Sequence, residues 1–186
     1  GSSLVQEISK VSPVFVDCKF FDIPSTMESS VRACFESGAS LVTVHAASGK
    51  EALEKMAELE QELNKQRPFR ILAVTVLTSW NQDSFPPNLI AMPVADHVVK
   101  LATFVKSCGL SSVVCSPEEI GLLKDKNLYL LTPGIRFATD NKGDQKRVMS
   151  PQQALKNGAS ALVVGRPILE AIDPITVVKK ILAPEN

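Results

Sequence analysis
The chain has no net charge: twenty Lys and Arg are matched by twenty Asp and Glu among 186 residues. That balance supplies no global field for nucleic acid or for an anionic membrane, so any recognition of an anion has to be local. No apolar run reaches the ~18 residues that a membrane span needs. The start, Gly1-Ser2-Ser3, lacks the basic and apolar regions of a signal peptide and is read as a cloning remnant. Cysteine is sparse and has no Cys-x-x-Cys spacing. Cys18, Cys34, Cys108 and Cys115 sit in apolar contexts and read as buried free thiols of a reducing cytoplasm, ahead of disulfides or a zinc site. A Gly-x-Gly-x-x-Gly after a first strand is also missing, which removes the signature of a dinucleotide fold.

What the chain does have is alternation. Apolar runs of β type predict strands over Val14–Asp17, Leu41–His45, Arg70–Val76, Ser112–Cys115, Leu128–Leu131 and Ala161–Val164. Helical segments fall between them. Leu4 to Ile8 reads as the tail of a helix, and Thr26 to Ser37 opens on a threonine cap and stops at Gly38. Leu53, Met56, Leu59 and Leu63 draw an apolar stripe along Gly49 to Gln66. Further helices are expected over Ala95–Ser107, Pro117–Lys124 and Ser150–Asn157, and from Asp173-Pro174 to Leu182. Continuous apolar strands alternating with helices mean a parallel sheet covered on both faces. The architecture is α/β, either an open doubly wound sheet or a (β/α) barrel. Polar residues gather just after strand ends, where barrel enzymes carry their chemistry.

The densest such cluster is Asp17-x-Lys19-x-x-Asp22, directly after Val14-Phe15-Val16. Alternation along a strand projects Asp17 and Lys19 on one side. Three charges at the end of a segment that otherwise reads as buried must pair, or they belong to a solvated turn with an ordinary surface ion pair. Far along the chain, Thr132-Pro133-Gly134-Ile135-Arg136 follows a strand and leads into a long polar stretch, Ala138 to Arg147. A loop that long is either a mobile surface segment or a lid over a ligand. Gly165-Arg166-Pro167 then opens a helix, whose free N–H groups and dipole suit a phosphate, with Arg166 adding a charged contact. His45 ends a strand and reads as a hydrogen-bonded core residue or as an acid–base group. Thr78-Ser79 opens a loop with Trp80, Asn81 and Gln82, a candidate cover for a ligand edge.

Taken together, these motifs resemble the family of orotidine 5′-monophosphate decarboxylases. The carriers are Asp17-Cys18-Lys19-Phe20-Phe21-Asp22-Ile23-Pro24-Ser25-Thr26, Thr132 to Arg136, Gly143-Asp144-Gln145-Lys146-Arg147 and Val164-Gly165-Arg166-Pro167. They occur in family order over essentially the whole chain, and the lid looks like that of the bacterial branch. The resemblance implies a (β/α)8 barrel of the TIM type acting as a homodimer in the cytoplasm. It implies a decarboxylase that needs no cofactor and no metal and turns orotidine monophosphate into uridine monophosphate. Lys19 would protonate C6 of the pyrimidine, Asp17 would lie against the substrate carboxylate, and Asp22 with Thr26 would reach the partner's site. Arg136, Gln145, Gly165 and Arg166 would grip the 5′-phosphate, Pro133 would pack on the base, Thr78 or Ser79 would bond its amide edge, and Ile23 would complete the substrate-binding set.

The family also carries two strands ahead of the one bearing Asp17, the first supplying a ribose-binding Asp and the second a Lys. Neither is found, Lys10 is not given that role, and Ser25 stands where Asn is commoner. Residues 1–186 are therefore expected to be one (β/α)-barrel domain, N-terminally incomplete, with six βα units visible. Such a barrel would leave parallel edges exposed, with poor solubility and little activity as a bare fragment. Two alternatives stand beside this reading. One is a related sugar-phosphate decarboxylase or aldolase that uses Mg²⁺ at the same triad. The other is an inactive fragment that only binds a phosphorylated ligand.

Overall fold
The computed structural model describes residues 1–86, 92–137 and 147–183. Among the described residues the strands are β1 (Val14–Phe20), β2 (Ala39–His45), β3 (Arg70–Val74), β4 (Ser112–Val114), β5 (Tyr129–Thr132) and β6 (Ala161–Leu162). They are hydrogen-bonded in the order β1-β2-β3-β4-β5-β6. The β1–β2, β2–β3 and β5–β6 pairings are parallel. A doubly wound sheet reverses its strand order at a switch point, whereas a (β/α) barrel adds each strand beside the last. The observed order is of the barrel type. Helices α1 (Ser2–Ser9), α2 (Pro24–Glu36), α3 (Lys50–Asn64), α4 (Val94–Ser107), α5 (Ile120–Leu123), α6 (Pro151–Lys156), α7 (Arg166–Leu169) and α8 (Pro174–Leu182) alternate with the strands.

The chain forms two compact units, residues 1–75 with 100–113, and residues 76–99 with 114–186. In the first, Met27, Val31 and Phe35 of α2 and Leu53, Met56, Leu59 and Leu63 of α3 are buried with Val42, Val44, Ile71 and Leu72 of the strands. Each such side chain contributes ~1.5–3 kcal/mol. The stripe predicted on α3 is thus the face it buries. Phe69 meets Phe35 edge to face at 5.2 Å, and the Arg67 guanidinium lies 3.8 Å above the Phe35 ring. Gly38 ends α2 at φ +99°, and a Cβ there would lie 2.4 Å from Ser9 Oγ, so glycine is required for the close approach of α1. In the second unit Val98, Ile120, Leu123, Leu130, Ile135 and Ala154 are buried. Ser150 and Asp173 cap α6 and α8 by accepting from Gln153 N and Thr176 N.

Three expectations need correction. α2 begins at Pro24, not Thr26, because Pro at the first helical position presets φ; Ile23 is its N-cap and makes no side-chain cap bond. α5 is one turn rather than the stretch from Pro117 to Lys124, because Glu119 is drawn into tertiary bonds described below. The cysteines are free but not uniformly buried: Cys18 is exposed and Cys34 intermediate, while Cys108 and Cys115 are buried. Burial pushes the Cys115 thiol up to about 12. Leu4 and Val11 near α1, and Leu169, Ile172, Ile175 and Leu182 around α7 and α8, hold large apolar side chains out in solvent.

Candidate active site
β1 is where the site is built. Val16 pairs with Val42 and Phe20 with Val44, so four steps along β1 face two along β2. The surplus is a bulge, which re-aims side chains where a flat strand would simply alternate them. Within it Lys19 has φ +50°, a left-handed backbone that costs a non-glycine residue ~1–3 kcal/mol and persists only where its surroundings impose it. Thr43 of β2, 1% exposed, imposes it. Lys19 N donates to Thr43 Oγ1 at 2.9 Å, and Thr43 Oγ1 donates to Asp17 Oδ1 at 2.7 Å. Lys19 Nζ then donates to Asp17 Oδ2 at 2.6 Å. The two charged side chains are 39% and 45% exposed, so this ion pair is open to a ligand while its backbone is fixed.

Around it, Phe21 stacks on His45 with ring centroids 5.2 Å apart. His45 Nδ1 accepts from Ala47 N at 3.2 Å. Burial, and then the Lys19 charge, holds the His45 imidazole below its ordinary range. His45 is therefore a packed, neutral ring beside the pair. Asp22 turns back on its own chain and accepts from Ile23 N at 2.7 Å. Asp22, Ile23 and Thr26 are all exposed at the start of α2, as residues available to another molecule would be.

The second unit holds the other predicted residues. Thr78 and Ser79 are the central residues of a turn closed by Trp80 N donating to Leu77 O at 3.0 Å. Trp80 packs edge to face on Phe85, and Phe85 on His97. After β5 the chain turns at Gly134, φ +80°, and Ile135 bridges to Met149. Arg136 is 8% exposed, and its Nη1 donates to Ile135 O at 2.7 Å. Pro133 is half-buried. Gly165 is the N-cap of α7, and Arg166 its first residue. Gln145 lies outside the described residues.

Two groups escaped the sequence reading. Thr43 lies 24 residues from Lys19, and no local pattern marks it. Glu119 ion-pairs with Arg147, their side chains 4% and 5% exposed, and its Oε2 accepts from Ser116 N at 2.8 Å. The spacing Ser116-x-x-Glu119 is that of a capping box, a signal that was available. Glu119 and Arg147 help line a cleft of about 430 Å³ with Asn81, Gln82 and Val94. Among the described residues no group of three or more His, Cys, Asp or Glu is set to hold a metal ion. Among the same residues no helix is long and apolar enough to cross a membrane.

Comparison with known proteins bears on the family and the fold. The model of the orotidine 5′-phosphate decarboxylase / HUMPS family matches residues 1–181. Orotidine 5′-phosphate decarboxylase from Vibrio vulnificus is 42% identical over 97% of this chain and 79% of its own length. The Coxiella burnetii protein of the same name is 40% identical over 97% of this chain and 78% of its own. The crystal structure of the Lactobacillus acidophilus enzyme superposes with a TM-score of 0.83 at 30% identity, over 98% of this chain and 80% of that one. The parallel, sequentially ordered strands, the Asp17–Lys19 pair and these matches lead to one conclusion: the chain belongs to the orotidine 5′-phosphate decarboxylase / HUMPS family.

Proposed function
We propose that the chain decarboxylates orotidine 5′-monophosphate to uridine 5′-monophosphate, with Lys19 as the proton donor to C6 of the pyrimidine. The observation that carries this reading is the Lys19 ammonium, 2.6 Å from Asp17 and borne on a backbone held at φ +50°. Loss of CO₂ breaks the bond between C6 and the carboxyl carbon and leaves the electron pair on C6. That vinyl carbanion has no π-system to spread its charge. A fixed cation beside it stabilises the developing charge, because nothing has to reorganise as the reaction proceeds. The ammonium then transfers a proton to C6, and the neutral amine regains one from water. Asp17 lies against the substrate carboxylate and keeps Lys19 aimed.

Arg136, Gln145, Gly165 and Arg166 bind the 5′-phosphate, Pro133 packs on the base, and Thr78 or Ser79 holds its amide edge. One of the five guanidinium N–H groups of Arg136 is engaged by Ile135 O. Binding energy from the remote phosphate assembles the site around the reacting carbon. Ile23 completes the substrate-binding set. Asp22 and Thr26 serve the neighbouring subunit of a homodimer; their exposure supports this. The four free thiols support a cytoplasmic setting. The test is absorbance-monitored loss of orotidine monophosphate, with and without EDTA, for the wild type and Lys19→Ala. Turnover insensitive to EDTA and strongly reduced in the variant is expected; equal rates in the two proteins would remove Lys19 from its role.

A further inference from the structure
Arg147 does more than neutralise Glu119. Its Nη2 donates to Leu77 O at 3.0 Å and to Val76 O at 3.5 Å, while Nη1 engages the Glu119 carboxylate. Leu77 O is also the acceptor that closes the turn, taking Trp80 N at 3.0 Å. One carbonyl therefore anchors the turn bearing Thr78 and Ser79, and a buried guanidinium holds that carbonyl from outside. Glu119 is held in turn by Ser116 N. Burying a charged pair is costly and often matches a hydrophobic substitute at best, so stability alone is a weak reason for this arrangement. A planar guanidinium ties a carboxylate and two carbonyls at once; an ammonium on a flexible stem does not.

We infer that Arg147, oriented by Glu119, is a positioning residue that sets the Leu77–Trp80 turn so that Thr78 and Ser79 meet the pyrimidine edge. This rests on the reading that Thr78 or Ser79 binds the base. It is a role in base recognition and not in phosphate binding, so the two parts of the nucleotide respond differently to its loss. Arg147→Lys keeps the charge and removes the fork.

The experiment measures dissociation constants for uridine monophosphate and for ribose 5-phosphate by calorimetry. The proteins are the wild type, Arg147→Lys, Glu119→Gln, the Thr78→Ala/Ser79→Ala pair, and that pair combined with Arg147→Lys. Circular dichroism identifies the folded variants, and Glu119→Gln stands in if Arg147→Lys does not fold. The expected result is about tenfold weaker uridine monophosphate binding in Arg147→Lys, with a raised KM for orotidine monophosphate and ribose 5-phosphate affinity unchanged. In the Thr78→Ala/Ser79→Ala background Arg147→Lys should add nothing, since coupled residues are not additive. Equal weakening of both ligands would make the pair merely structural and overturn the inference. So would an unchanged Arg147→Lys beside a weakened Thr78→Ala/Ser79→Ala. If the latter variant binds uridine monophosphate as the wild type does, the base-edge assignment itself is wrong and the inference goes with it.

Discussion
Asp17–Lys19 and Glu119–Arg147 join the same kinds of group, a carboxylate and a cation, in opposite surroundings. The first pair is 45% and 39% exposed; the second is 4% and 5% exposed. An exposed pair contributes ~0–1 kcal/mol, because water competes for both partners. Once a buried pair exists, breaking it costs ~3–5 kcal/mol, because the survivor is left without solvent or partner. The open pair can be removed at small cost to folding and is free to serve a ligand. The closed pair is committed to its own chain. On the function proposed above, one sequence uses the same ion-pair chemistry for reactivity in one place and for shape in another.

The largest effect that sharpens this contrast is expected from Lys19→Ala. Turnover should fall by ~10²–10³-fold, the order lost when a preorganised group is removed from a developing anion. The urea midpoint should barely move, since an exposed pair contributes ~0–1 kcal/mol. Steady-state rates and unfolding curves on the same preparation check both halves. A variant that unfolds as readily as it loses activity would break the comparison.

Glu119→Ala should behave in reverse, destabilising the chain by ~3–5 kcal/mol through the stranded guanidinium. Replacing both partners, as Glu119→Leu with Arg147→Met, should recover most of that stability, because neither charge is left buried and unpaired. Denaturant titration of the single and double variants reads the difference directly. If the double variant is as unstable as Glu119→Ala, the cost lies in lost packing rather than in the unpaired charge.

The two pairs were unequally legible in the sequence. Asp17 and Lys19 fall two residues apart at the end of an apolar run, so their proximity follows from strand alternation. Their actual contact is made by a bulge and a left-handed lysine, which propensity argues against and which the tertiary bonds to Thr43 sustain. Among the described residues each strand coincides with an apolar run, and the inner strands β2 to β5 bury most of theirs, whereas β1 and β6 hold no buried residue. Helix boundaries are less visible: α5 shrinks because Glu119 bonds across 28 residues to Arg147. The choice between barrel and doubly wound sheet depends on strand order, a long-range property that hydrophobic periodicity does not encode.

A smaller change tests what holds Lys19 in place. Thr43→Val is nearly isosteric but removes the hydroxyl that accepts from Lys19 N and donates to Asp17 Oδ1. Leaving the Lys19 N–H without its partner should cost ~1–3 kcal/mol of stability. The bulge would also lose the contact that fixes the lysine. Turnover should therefore fall about tenfold, the rate equivalent of ~1.4 kcal/mol lost from transition-state stabilisation. A Thr43→Ser variant, which keeps the hydroxyl, should restore most of both. Rates unchanged in Thr43→Val would mean that the left-handed backbone at Lys19 is held by something other than this bond.

The smallest expected effect comes from His45, the neutral ring stacked on Phe21 near the open pair. Burial is the larger cause of its lowered pKa, and the Lys19 charge the smaller. A depressed pKa means that the folded state resists protonation more than the unfolded chain does. Its contribution to stability is therefore complete above ~6.5, the value for an unfolded histidine, and is lost as pH falls through the lower folded value. The wild type should lose urea resistance over that window relative to His45→Gln, which has nothing to titrate. NMR titration of the imidazole, assigned by its disappearance in His45→Gln, should give a midpoint below the ordinary value. In Lys19→Met that midpoint should rise only part of the way, because the desolvation remains when the charge is gone. A full return to the ordinary value would make the open ion pair, and not burial, the dominant influence on its neighbour. The field of an exposed lysine would then reach further into this strand end than solvent screening allows.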